Sequence, residues 1–281
     1  MDLRATGPAQ ATSARPRRRG ARLRGENPLK RPGQPLVTAR WVEVEGVRAR
    51  VLEAGEGPVL LLLASMLVRG RTYLPLIRRL ARHFRVLTVE LPGSGRSARV
   101  RRPWTLSAYA RWTARFVEQL RLGRVLLVGH SNSGGVALLM AARYGASVDR
   151  LVLADTIGAR RKRSIPRVVA ARMLDGLLEL GLDLRAWWHI LYNVLRHPRS
   201  FFHQVKVGSL AALLHRAPRV RMPTLLAWGH RDHTMPLSCA ERLLTLLPRA
   251  RLYIGAGSHD WLVTDSREFT RAVLEFASTP A

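Results

Sequence analysis

A serine stands at the centre of Gly129-His130-Ser131-Asn132-Ser133-Gly134-Gly135, directly after the apolar run Val125-Leu126-Leu127-Val128. Small residues follow it and open an apolar, Ala-rich segment. This is the pattern of a buried strand that turns sharply into a helix with a serine at the apex. A serine on such a turn presents its Oγ to solvent, and the helix N-terminus behind it favours developing negative charge. Larger side chains on either side would collide with strand or helix, and here Gly129 and Ser133 fill the two small positions. Ser133 fits the same small-x-Ser-x-Gly pattern through Ser131 and Gly135, but it lies in the first helical turn, so Ser131 is preferred.

A serine hydroxyl is a weak nucleophile until a base within hydrogen-bond reach takes its proton, and a carboxylate usually orients that base. In an open parallel sheet, such groups meet at the edge formed by the carboxyl ends of the strands. Two later segments end there. The run Thr224–Trp228 leads into Gly229-His230-Arg231-Asp232-His233, and Arg251–Gly255 leads into Ala256-Gly257-Ser258-His259-Asp260-Trp261. Asp232 and His259 are 27 residues apart, the length of one helix and one strand. Asp155, just past another strand, is the competing acid. His230 and His233 lack metal-ligand spacing and read as surface or pocket-edge residues, His130 reads as structural, and Asp260 as a loop residue pointing away from His259. Cys239 reads as packing.

These residues need a scaffold, and the chain from residue 41 alternates strand with helix. Trp41–Glu45 and Val47–Glu53 read as a hairpin around Gly46. Val59–Ala64 is apolar throughout, as expected of a strand buried on both faces. A helix over Tyr73–His83, a strand over Arg85–Leu91 and the turn Pro92-Gly93-Ser94-Gly95 follow. Next come a helix over Leu106–Leu120, the strand ending at Gly129, a helix over Ser133–Tyr144 and a strand over Arg150–Ala154. Such alternation implies right-handed crossovers and a mainly parallel sheet. It breaks between 156 and 221, a strandless stretch with helical periodicity (Val168, Met173, Leu174, Leu177, Leu178) that reads as an inserted helical cap. The expected organisation is therefore a core of 41–155 and 222–281, a cap of 156–221, and a basic, disordered tail of 1–40.

At 281 residues the chain has room for one large core plus an insertion. The 47 basic and 19 acidic residues give a net charge of +28, which raises the possibility of a polyanionic partner. The compositional reading is preferred. Lys occurs only at 30, 162 and 206, the arginines are scattered over every element, and no nucleic-acid motif accompanies them. No stretch reaches the roughly 20 apolar residues of a bilayer span. A single cysteine fits a reducing compartment, so a cytoplasmic location is expected.

Taken together, Leu91-Pro92-Gly93-Ser94-Gly95-Arg96-Ser97, the elbow at Ser131, the Trp228–Asp232 loop and the Gly255–His259 loop resemble the α/β-hydrolase superfamily from about Trp41 onward. The resemblance implies an α/β fold: a mostly parallel sheet of about eight strands, helices on both faces, and a helical cap. It implies Ser131 as nucleophile, His259 as base and then acid, and Asp232 as the orienting carboxylate. Backbone N–H groups of Asn132 and Met66 would hold the oxyanion, with Leu67 as the alternative to Met66 because Ala64-Ser65-Met66 replaces the family's usual His-Gly. Trp187, Trp188, Phe201 and Trp261 are the candidate substrate contacts. The expected activity is hydrolysis of an ester or related small apolar acyl compound without cofactor or metal. Carbon–carbon bond hydrolysis, cofactor-free haloperoxidase or lyase chemistry, and non-catalytic binding of a small molecule stand as alternatives. The partner expected is a small-molecule substrate and no specific nucleic acid.

Overall fold

The computed structural model describes residues 33–159, 164–180 and 184–279. Most of the tail anticipated from the sequence lies outside them. Eight strands form one sheet: β1 (Thr38–Val44), β2 (Val47–Ala54), β3 (Val59–Leu63), β4 (Arg85–Glu90), β5 (Val125–His130), β6 (Val148–Ala154), β7 (Thr224–Gly229) and β8 (Ala250–Gly255). Their order is β1-β2-β4-β3-β5-β6-β7-β8. The β1–β2 and β2–β4 pairs are antiparallel, and every pair from β4–β3 to β7–β8 is parallel. Central strands with no polar face, such as Val59–Leu63, are those the sheet buries on both sides.

Helices α1 (Leu74–Leu80), α2 (Leu106–Gln119), α3 (Asn132–Arg143), α7 (Ser238–Leu244), α8 (Trp261–Thr264) and α9 (Ser266–Ser278) accompany the sheet. Between β6 and β7 run three further helices, α4 (Ile165–Leu180), α5 (Leu184–Arg196) and α6 (Pro198–Leu210), and a 3-10 turn, Leu214–Arg219. Two apolar cores result, one on each face of the sheet. One joins Leu61, Leu127 and Leu153 to α2 and α3, and the other joins Leu60, Val128 and Val152 to α1 and α9. Alternate residues of each strand feed opposite cores, as the strand period of two requires. No helix among the described residues is long and apolar enough to cross a membrane.

The boundary of the tail needs correction. β1 begins at Thr38, and Val37 is already fully buried, so residues 37–40 belong to the core and not to a disordered leader. Val37 and Ala39 point inward in alternation, which continues the pattern seen after Trp41. Arg40 pairs with Glu53 across the hairpin at 2.6 Å.

Candidate active site

Ser131 caps α3 with φ 55° and ψ −123°, a conformation that a non-glycine residue holds only under strain. The surroundings impose it. The Ser131 N–H donates to the Ala154 carbonyl, and its own carbonyl accepts from Gly134. A Cβ added at Gly129 would lie 2.6 Å from Ala137 Cβ, and one at Gly134 would lie 2.2 Å from Thr156 Oγ1. Strand and helix therefore pack too closely at the elbow for any side chain there. Ser133 does not face the cavity edge. Its hydroxyl donates to the Ala64 carbonyl at 2.7 Å and ties α3 to the end of β3.

Three side chains from three separate loops meet at this turn. His259 Nε2 is 2.9 Å from Ser131 Oγ, and His259 Nδ1 is 2.8 Å from Asp232 Oδ2. Asp232 also accepts from the Met235 N–H at 2.6 Å through its other oxygen. The imidazole is fully buried. Burial works against its charged form, but the field and hydrogen bond of Asp232 outweigh burial and hold His259 above its ordinary value. With Nδ1–H donated to Asp232, the unprotonated Nε2 faces the serine proton.

Asp155, the competing acid, neighbours Asp232 and is not the carboxylate bonded to His259 Nδ1. Its oxygens accept from the Gly229 N–H at 2.8 Å and from the Trp261 indole at 3.0 Å. Burial, and then the neighbouring Asp232, push its carboxyl well above the usual range. Trp261 consequently departs from the expectation of a substrate contact. It is fully buried, stacks on Tyr253 and meets Phe269 edge-on, and its indole nitrogen is committed to Asp155.

The loop after β3 approaches from the other side. Ser65 N–H donates to Tyr73 Oη at 3.0 Å, and Val68 N–H donates to the Ser65 carbonyl. The amides of Met66 and Leu67 lie between these two anchored positions. Tyr73 Oη is 2.6 Å from His130 Nδ1, and His130 Nε2 is 2.9 Å from the His259 carbonyl. Since a carbonyl only accepts, His130 donates from Nε2 and receives the tyrosine proton at Nδ1. Burial, then the nearby His259, lower this imidazole to about 3, so it stays neutral. His130 thus ties the loop after β3, the elbow and the His259 loop to one another.

A cavity of about 200 Å³ opens above Ser131. Asn132, Leu67, Ile157, Trp187, Phe201 and Met235 contribute to its walls. Of the candidate substrate contacts, Trp187 and Phe201 line this cavity and Trp188 does not. Trp188 is 52% exposed and Phe202 63%. Successive helical residues lie about 100° apart, so one of each pair faces in and the other out. Asn132 is held by α6, its amide nitrogen donating to the Gln204 carbonyl at 2.8 Å.

Four residues of this neighbourhood were not anticipated. Gln204 is one. The others, Arg172, Asp175 and Glu179, lie on α4 and reach the loops of Asp232 and His259. Their signal was the spacing of three charges at i, i+3 and i+7 in a stretch, 168–180, otherwise free of charge. Asp260 must also be corrected. It is buried and bonded to Arg172 at 2.6 Å, with His130 Nε2 4.0 Å away. Burial disfavours its charge, but Arg172 above all, and then His259, keep the carboxyl below its usual range. His233 is partly exposed and bonded to Asp175. Among the described residues, no group of three or more His, Cys, Asp or Glu side chains could hold a metal ion.

Comparison with known proteins agrees with the architecture. A family model described as alpha/beta hydrolase fold matches residues 58–217. An uncharacterized protein of Mycobacterium tuberculosis is 26% identical over 294 residues, covering 92% of this chain and 86% of its own. A 2-hydroxy-6-oxononadienedioate/2-hydroxy-6-oxononatrienedioate hydrolase of Pseudomonas is 26% identical, covering 69% of this chain and 77% of its own. Among solved structures, the enol-lactonase from Burkholderia xenovorans LB400 superposes with a TM-score of 0.74 at 22% identity, covering 85% of this chain and 100% of that one.

Proposed function

Because the chain belongs to the α/β-hydrolase family, we propose that it is a serine hydrolase acting on an ester or related small apolar acyl compound. The observation that carries this reading is the unbroken hydrogen-bond chain from Ser131 through His259 to Asp232, at 2.9 and 2.8 Å, on the floor of an apolar cavity.

In this mechanism Ser131 Oγ attacks the acyl carbon as His259 Nε2 takes its proton. The imidazolium that forms is stabilised by Asp232, whose second oxygen stays fixed by Met235 N–H. The oxyanion is held by the N–H groups of Asn132, at the start of α3, and of Met66. Each well-placed donor lowers the barrier by roughly 3–4 kcal/mol. His259 then gives its proton to the leaving group. Water enters, loses a proton to the same nitrogen and attacks the acyl-enzyme, and Ser131 is regenerated. Supporting an apolar acyl group is the wall chemistry of the cavity, where Trp187, Phe201, Ile157 and Leu67 offer hydrocarbon to a bound chain.

The test is labelling by a fluorophosphonate probe, followed by turnover of p-nitrophenyl esters of graded chain length. Ser131→Ala is expected to abolish both, with a loss on the order of 10⁶ in kcat for removal of a triad nucleophile. Labelling that survives in Ser131→Ala and vanishes in Ser133→Ala would overturn the nucleophile assignment. A protein that labels at Ser131 and cleaves no ester would redirect the reading to carbon–carbon, peroxidase or lyase chemistry through the same residues.

A further inference from the structure

Helix α4 turns much of its apolar surface outward. Its exposed side carries Met173, Leu174, Leu177 and Leu178, each at least 43% exposed. Its inward side carries Arg172, Asp175 and Glu179, which share a face because residues three and four apart are neighbours on a helix. Leu174, Leu177 and Leu178 thus face water, although Val168 is buried and Met173 also borders the cavity, while the three charges face protein and must have partners that offset their desolvation.

The partners are the two loops that carry Asp232 and His259. Asp175 accepts four hydrogen bonds from the residues that follow Asp232. These come from the His233 N–H and Nδ1 at 3.1 and 2.8 Å, and from the Thr234 N–H and hydroxyl at 2.7 and 2.6 Å. Glu179 accepts from the Ser258 N–H at 2.5 Å through Oε1 and from the Asp260 N–H through Oε2, the two amides that flank His259. Arg172 closes the set by pairing with Asp260. The fit against Glu179 requires a glycine, because a Cβ at Gly257 would lie 2.9 Å from Glu179 Oε1 and 2.5 Å from Trp261 Cβ.

We propose that Arg172, Asp175 and Glu179 form a positioning clamp by which α4 sets the acid and base loops, so that His259 meets Ser131 and Asp232 only while α4 is seated over the sheet. The proposal rests on the nucleophile–base–acid reading above and adds residues that touch neither substrate nor the reacting atoms. Glu179 is its most exacting member because one carboxylate must satisfy two amides at once. A glutamine there has one oxygen to accept and turns an NH₂ toward the other amide.

The clamp also has a pH dependence. The groups facing Glu179 are Asp260 and His259 on the loop after β8 and Asp155 after β6, with Arg172 and Asp175 on its own helix. Burial, and then Asp260, push the Glu179 carboxyl up to about 7 against the pull of the two amides and His259. Below that pH Glu179 gains a proton and weakens as an acceptor. His259, held above its ordinary value, gains its proton in the same direction. Two protonations, one on the base and one on the clamp, therefore shut the site as pH falls.

The experiment compares wild type, Glu179→Gln and Asp175→Asn as full chains, by two readouts. Hydrogen–deuterium exchange in peptides spanning 256–260 should quicken about tenfold or more in Glu179→Gln, from loss of a charge-assisted hydrogen bond. The 230–235 segment should respond likewise in Asp175→Asn. Fluorophosphonate labelling of Glu179→Gln should slow at least about tenfold. Its rate should fall with one proton as pH drops, where wild type falls with two. Unchanged exchange in both loops overturns the clamp, and so do exchange changes with wild-type labelling rates and pH profiles. A wild type that takes no probe at Ser131 refutes the serine-hydrolase reading instead, and the exchange readout still decides the clamp.

Discussion

At the scale of single residues, the site combines strain with tight control of protons. Ser131 holds φ 55°, which costs on the order of 1–3 kcal/mol. A glycine there would shed that strain, so Ser131→Gly is expected to melt higher than Ser131→Ala while both take no probe. Calorimetry with labelling checks this, and a Ser131→Gly protein that melts lower would mean the serine contributes packing not seen here. Most of this constellation was legible from the chain, because glycines and polar residues just past apolar runs mark the carboxyl edge of a parallel sheet. Asp260 and Trp261 were not legible. Their roles come from Arg172 and Asp155, distant in sequence, and neither spacing nor propensity encodes such a pairing.

At the scale of elements, the loops are held apart from the strands' own stability. Thr105 caps α2 by accepting from the Ala108 N–H at 3.2 Å, far from the serine. Thr105→Ala should cost about 1 kcal/mol of stability and leave labelling unchanged. Gly229 is the reverse case, since a Cβ there would lie 2.0 Å from the Ser258 carbonyl oxygen, beside His259. Gly229→Ala should push the β7 and β8 loops apart, and a misplacement near 1 Å costs on the order of a hundredfold in rate. Measuring Tm and labelling in both variants separates the two effects, and a Gly229→Ala protein that labels normally would show the loops are not so constrained. The three insertion helices repeat the lesson. Periodicity located α4 but left open which side meets protein, because an amphipathic pattern says which residues share a face and not which face is buried. On α5 and α6 the outcomes differ by residue. Trp187→Ala and Phe201→Ala should shift acyl-chain preference by about tenfold, as expected for 1–3 kcal/mol of pocket contact. Trp188→Ala should leave it alone. Equal effects from Trp187 and Trp188 in a chain-length series would remove the cavity from the account of specificity.

At the scale of the molecule, charge and light offer two handles. With 47 basic against 19 acidic residues, the folded chain repels itself, and salt screens that repulsion within about 10 Å at 0.1 M. Its Tm should therefore rise between low and physiological ionic strength, whereas a fall would mean that attractive ion pairs dominate. Trp187 supplies the second handle. Its ring edge lies 3.2 Å from where a Cβ would stand on Gly176, one residue past Asp175, so this indole rests on α4 and borders the cavity at once. An excited indole reddens as water reaches it. Lifting α4 by a single turn would hydrate Trp187 while Trp112, Trp228 and Trp261 stay dry in the core. The protein thus carries an intrinsic optical gauge of whether its insertion is down, readable without a label, a substrate or a turnover.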